Sequence, residues 1–240
     1  GKILGGAAGF ALGGPVGALL GGLAGHYYDA TAGEANTAAG ADPTRQVAFT
    51  IAVVALGAKL AKADGVVTRE EIRAFKQTFR VAPEEEKAVA RFFDQARRLS
   101  GGYEPYARQV AGLFRGAPEV LEELLGCLFF IARADGKVSA EEMAYLRDVA
   151  GIFGFSGADF DRISGTMTSA AKGDPYQILG VTRADTNDAI KSAWKKLVRE
   201  HHPDHVTAKG LPPEFVAVAT EKLASINAAY DAISKERGMP

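Results

Sequence analysis

Residues 200–205 read EHHPDH, which gathers His201, His202 and His205 with Glu200 and Asp204 in one short stretch. Imidazoles and carboxylates this close could ligate a metal, shuttle protons as general acid and base, or form a pattern that a partner protein reads. A zinc site would need the histidines aligned on one face. Pro203 breaks the helix that would align them, and no cysteine stands near to complete a tetrahedral set. Acid/base catalysis would need a nucleophile or a second constellation of polar groups, and none is visible. His201 reads as a solvated helix-end residue favoured by the helix dipole.

The elements that must hold this stretch are two helices. Asn187–His202, NDAIKSAWKKLVREHH, places Ile190, Ala193, Trp194, Leu197 and Val198 on one apolar stripe and leaves Lys191, Lys195, Lys196 and Arg199 outside it. Those cations are either a solvated face or a binding face. After the segment PDHVTAKGLPPE, taken as a loop, residues 214–236 place Phe215, Ala219, Leu223, Ile226, Tyr230 and Ile233 at matching helical spacing. The pair predicts an antiparallel hairpin with the His-Pro-Asp tripeptide at its tip. DPYQILGV (174–181) leads into it.

Upstream, residues 44–168 carry helical periodicity almost throughout and no strand pattern, so the expected fold class is all-α. Val47, Ile51, Val54 and Leu60 mark one stripe; Phe92 and Phe93, then Val110, Leu113 and Phe114, then Leu124, Leu125 and Leu128 mark others. The region repeats itself: AKADGVVTREE (61–71) returns as ARADGKVSAEE (132–142), identical at seven of eleven positions. Each copy reads as a helix ending at Asp-Gly, with Gly65 or Gly136 in a left-handed turn, followed by a capped helix start at Thr68 with Glu71 or Ser139 with Glu142. The Asp-Gly and the following glutamate imitate the end of a calcium loop. Leu60 and Lys62 in one copy, and Ile131 and Arg133 in the other, stand where oxygen ligands should, which speaks against an EF-hand. A weak divalent site at Asp64, Asp135 and the nearby glutamates stays open as an alternative to structural capping.

Ile3 to Gly25 contains no charged residue over 23 positions, about 34 Å as a helix and enough for a hydrocarbon core of roughly 30 Å. Gly5, Gly9, Gly13, Gly17, Gly21 and Gly25 recur every fourth position, a glycine zipper along which a second helix can approach closely. The expectation is a transmembrane helix over 1–29 that self-associates into a homodimer, followed by a small-residue linker over 30–43. A cleaved signal peptide and a buried glycine-rich hairpin are the alternatives; the first is disfavoured by the length of the apolar run, the second by the lack of β-branched alternation. Charge does not set the orientation, because Lys2 precedes the span while Asp29, Glu34, Asp42 and Arg45 follow it. The net charge of −1 gives nucleic-acid binding no support. The single cysteine, Cys127, in LLGCLFFIA, reads as a core residue.

Tyr176, Leu179 and Gly180 in the opening segment, IKSAWKKLVREHHPD in the first helix and INAAYDAI in the second resemble a J-domain, the Hsp70-stimulating module of DnaJ-type co-chaperones. The match covers about residues 173–237, within a unit taken as 169–240. Trp194 stands where the family usually has tyrosine. The doubled ADG joint resembles the TerB-like helical domain associated with tellurite resistance. The whole order is similar to the membrane-anchored DnaJ-like co-chaperones of bacteria.

The resemblance implies that Hsp70 (DnaK) reads His202, Pro203 and Asp204, with Lys191, Lys195, Lys196 and Arg199 steering the encounter. A carboxylate and an imidazole on a proline-stiffened turn suit that role, because little entropy is lost when a partner engages them. It further implies that the chain activates a partner's ATPase and is no enzyme itself, with no metal or cofactor. It places the chain in the bacterial inner membrane, in a single pass, with its bulk on the cytoplasmic side. The Gly/Phe-rich linker, the cysteine-rich zinc region and the β-rich client-binding domains of full DnaJ are missing. The competing reading is a membrane scaffold or stress sensor acting through its TerB-like part, with Hsp70 as its regulator.

Overall fold

The structure is a computed structural model that describes residues 43–61, 102–134, 136–168, 174–212 and 215–239. The glycine zipper, Asp64, Gly65, Thr68, Glu71, Phe92, Phe93 and Asp135 lie outside the described residues, as does the side chain of Val47. Within them every regular element is helical, and no helix there is long and apolar enough to cross a membrane.

Helix α1 (Pro43–Leu60) and helix α3 (Pro118–Ala132) are apolar on nearly every side, and such helices belong at the centre of a bundle. The apolar side chains of α1 from Ala48 to Leu60 are buried, as is α3 from Val120 to Phe129. Each helix begins with a proline, which costs nothing in a first turn because that N–H has no intrahelical acceptor. Around them pack α2 (Glu104–Leu113), α4 (Ala140–Phe153) and α5 (Gly157–Thr168), with α2 on α1 and α4, and α3 on α4 and α5. The Tyr145 hydroxyl of α4 donates to the Leu56 carbonyl at 2.8 Å, which satisfies a buried polar group in the middle of this core. Cys127 is fully buried here, and burial pushes its thiol well above its usual range.

The second copy of the repeat forms the joint that its residues dictate. Gly136 takes φ +100, and the Ser139 hydroxyl accepts from the Glu142 N–H at 3.1 Å while the Glu142 carboxylate accepts from the Ser139 N–H at 2.8 Å. Leu113 departs from expectation: at 42% exposed it sits in the last turn of α2 outside the stripe.

The second unit consists of α6 (Pro175–Leu179), α7 (Asn187–Glu200), α8 (Pro203–Ala208) and α9 (Val216–Arg237). Helices α7 and α9 form the expected hairpin around Tyr176, Leu179, Ile190, Leu197, Ile226, Tyr230 and Ile233. Trp194 keeps an aromatic core role by stacking on Tyr230 at 4.2 Å between centroids, with its indole N–H donating to Asn227 at 2.9 Å. Arg237 closes the hairpin's far end by donating to the carbonyls of Asp185 and Arg183, both at 2.7 Å, and to the Tyr176 hydroxyl at 2.9 Å.

Two expectations are corrected here. The segment after the tripeptide is not all loop: Pro203 opens the short helix α8. The apolar stripe of α9 also does not serve one core. Phe215, Val218 and Ala219, together with Val206 and Leu211, are buried with Phe49 and Phe114 in the core of the first unit, while Ile226, Tyr230 and Ile233 serve the hairpin. Leu223 is only half-buried. The two units therefore share a continuous apolar contact.

Candidate partner-binding site

Helix α7 starts at Thr186, whose hydroxyl accepts from the Ala189 N–H at 3.2 Å, and ends at Glu200 with His201 as its C-cap. The chain turns over two residues, His201 and His202. His202 then caps α8 with extended backbone, its Nδ1 accepting from the Asp204 N–H at 3.2 Å. With Nδ1 accepting, Nε2 is the ring nitrogen left to donate. Pro203 occupies the first helical position, where its fixed φ fits. The Asp204 side chain is 94% exposed and that of His202 50% exposed, so both are open to a partner.

Lys191, Lys195, Lys196 and Arg199 all lie exposed on α7, opposite the buried Ile190 and Leu197. Among the described residues none of the four forms an ion pair, which leaves a band of unneutralised positive charge leading to the tripeptide. Lys191, Lys195, Lys196 and Arg199 thus run along α7 from its second turn to its last, and His202, Pro203 and Asp204 follow at its C-terminal end. The zipper glycines lie outside the described residues.

Directly behind the tripeptide is a set of groups that the sequence reading missed. His201 is not solvated. Its side chain is 2% exposed, with Nδ1 2.8 Å from Glu123 Oε1 and Nε2 3.3 Å from Glu122 Oε1. Both carboxylates come from α3. Lys222 of α9 lies 2.8 Å from Glu122 and 3.0 Å from Glu123, and the Arg162 guanidinium of α5 grips Glu122 as a fork at 2.9 and 2.7 Å. Burial pushes the Glu122 carboxyl up, but Lys222, His201 and Arg162 outweigh it and hold the group well below the usual carboxylate range. Glu123 is also raised by burial and then brought below its ordinary value by Lys222 and His201, although its Oε2 has no hydrogen-bond partner. One turn earlier on α3, Glu119 lies 3.3 Å from His205 and 3.9 Å from Lys209. A signal was present in the sequence: two adjacent acids inside the otherwise apolar run of α3 must be paired if that helix is central. Among the described residues no group of histidines, cysteines and carboxylates could hold a metal ion. Lys222 already occupies the place of a cation between Glu122 and Glu123.

A three-part hairpin with an exposed His-Pro-Asp turn and a cationic first helix defines a J-domain protein, and here that J-domain is seated on a helical bundle with the ADG joint. Family comparisons agree along the chain. Residues 50–165 match the tellurite resistance protein TerB family, residues 174–238 the DnaJ domain, and residues 1–42 the co-chaperone DjlA transmembrane domain. The chain belongs to the DjlA family of co-chaperones. It is 32% identical over 217 residues to the co-chaperone protein DjlA of Shewanella oneidensis, covering 83% of this chain and 82% of the relative. It is 32% identical over 220 residues to that of Photobacterium profundum, covering 81% and 79%. An alignment of 279 positions with that of Vibrio cholerae is also 32% identical and spans 100% of this chain and 98% of the relative. No solved structure matches the chain.

Proposed function

We propose that this chain is a membrane-anchored co-chaperone that recruits Hsp70 (DnaK) and stimulates its ATPase through His202, Pro203 and Asp204. The observation that carries this reading is the pairing of an exposed, internally capped tripeptide at the hairpin's tip with an exposed four-cation face along the adjoining helix. Lys191, Lys195, Lys196 and Arg199 attract an acidic partner surface and speed the encounter; the capped turn then offers a carboxylate and an imidazole N–H already in place. ATP hydrolysis itself stays in the partner, so the chain is a regulator of an ATPase and no enzyme.

The similarity of residues 1–42 to a DjlA transmembrane domain supports anchoring in the bacterial inner membrane. Because Hsp70 needs ATP, the reading puts residues 44–168 and 169–240 on the cytoplasmic side. Gly5, Gly9, Gly13, Gly17, Gly21 and Gly25 supply a face on which two anchors pack as a homodimer. The shared packing of the two units favours joint action over a scaffold that works through the TerB-like part alone.

The test is single-turnover ATP hydrolysis by a bacterial Hsp70 with the parent chain, His202→Gln and Asp204→Asn. Strong stimulation by the parent and none by either folded variant is expected. A parent that gives no stimulation would sink the reading. Protease protection of the hairpin in vesicles whose cytoplasmic face is outward would do the same for the topology.

A further inference from the structure

Glu119, Glu122 and Glu123 fall at i, i+3 and i+4 on α3, which puts them on one face of a single turn. That turn belongs to the first unit, yet its three carboxylates hold the residues on either side of the tripeptide: His201 just before it, and His205 and Lys209 beyond it. His201, the C-cap of α7, is also one of the two residues over which the chain turns into α8, the other being His202. Holding the His201 ring in place anchors one side of that joint and so restrains how the His-Pro-Asp turn sits relative to the cationic face.

Stability alone is a poor account of this arrangement. Buried ion pairs are often matched or exceeded by apolar residues of similar size, and the two units already meet through the buried Val206, Leu211 and Phe215. Apolar packing is non-directional, whereas two carboxylates on the two nitrogens of one imidazole define its orientation.

We infer that Glu119, Glu122 and Glu123 are positioning residues for Hsp70 stimulation, a clamp from the TerB-like unit that sets the orientation of the tripeptide relative to the cationic face. The inference rests on the preceding reading of the J-domain. Glu122 and Glu123 are buried and touch no Hsp70; they act through His201, and Glu119 acts through His205 and Lys209. The TerB-like unit is in this account the rigid base of the docking surface.

The test uses the full chain in detergent micelles or nanodiscs, titrated into single-turnover hydrolysis by Hsp70, so that the stimulated plateau and the half-stimulating concentration are read separately. The variants are the charge-balanced pair Glu123→Gln with Lys222→Met, and Glu119→Gln at the partly exposed edge of the cluster, where the fold is least at risk. The pair variant is expected to lose at least fivefold in plateau, and Glu119→Gln about twofold, with the half-stimulating concentration within twofold of the parent because the cationic face is untouched. A merely structural role lowers the folded fraction, which raises the concentration required and leaves the plateau. A parental plateau in either folded variant overturns the positioning role. Absence of stimulation by the parent overturns the preceding reading instead.

Discussion

Phe49 lies in α1, fully buried, with its ring 4.9 Å from Phe215 and 6.3 Å from Phe114 between centroids. Phe215 immediately precedes α9, and α9 also carries the Tyr230 and Asn227 that hold Trp194, the only tryptophan in the chain. Removing the ring by Phe49→Ala costs about 3–5 kcal/mol from lost transfer energy and the residual cavity. Roughly 0.5–1.5 kcal/mol of that belongs to the edge-to-face contacts. With a urea slope at the upper end of about 1–3 kcal/mol/M, the midpoint falls by at least about 1 M. The assay is urea unfolding of the chain from Pro43 onward, followed by Trp194 fluorescence and by circular dichroism. Phe49 and Trp194 belong to different cores, so a fluorescence midpoint that falls with the helical signal means that both cores unfold as one cooperative unit. A fluorescence midpoint that moves less than about 0.3 M while the helical signal shifts fully would refute the idea that the shared contact couples them.

Three further outcomes are expected. Glu122 has a depressed pKa in the folded chain, so the unfolded chain binds more protons between that value and the ordinary one near 4.5, and stability rises with pH across the window. Its contribution is complete above the ordinary value and is lost as pH falls through the folded one. Glu122→Gln, already weaker by about 3–5 kcal/mol at pH 7 because Arg162 and Lys222 lose a buried partner, should therefore show a shallower acid-side decline in denaturant titrations, and an unchanged slope would count against the cluster. Gly210 has φ +117, and a Cβ there would lie 3.0 Å from the Arg45 Cβ and 3.3 Å from Phe114 Cε1, so Gly210→Ala should cost about 1–3 kcal/mol, and a thermal melt with an unmoved Tm would contradict that packing. Lys195→Glu combined with Lys196→Glu should slow the onset of Hsp70 stimulation on the order of tenfold at low salt. The deficit should shrink as salt shortens the screening length, and an equal deficit at all salt concentrations would argue against steering.

Much of the fold and of the candidate site was legible where the features are local. The cap at Ser139, the left-handed Gly136 and the amphipathic stripe of α7 each depend on residues within one or two turns, and their spacing encodes them directly. The exposure of the four cations follows from the same periodicity. Leu113 shows where periodicity stops being enough: its spacing suits a buried stripe, but α2 ends there and the residue is 42% exposed.

By itself the sequence determined that the chain is helical, that the hairpin carries His202, Pro203 and Asp204 at its tip, and that Trp194 belongs to an aromatic core. Only the tertiary structure decided the fate of His201 and the division of α9 between two cores. The nearer carboxylate partner of His201 is 78 residues away in the chain. A histidine at a helix end looks solvated until a distant helix brings charges to it, and Phe215 looks like part of one hairpin stripe until Phe49 is packed against it. Local spacing fixes which way a side chain points from its own helix; what it meets there depends on which other helix the whole fold brings to that face.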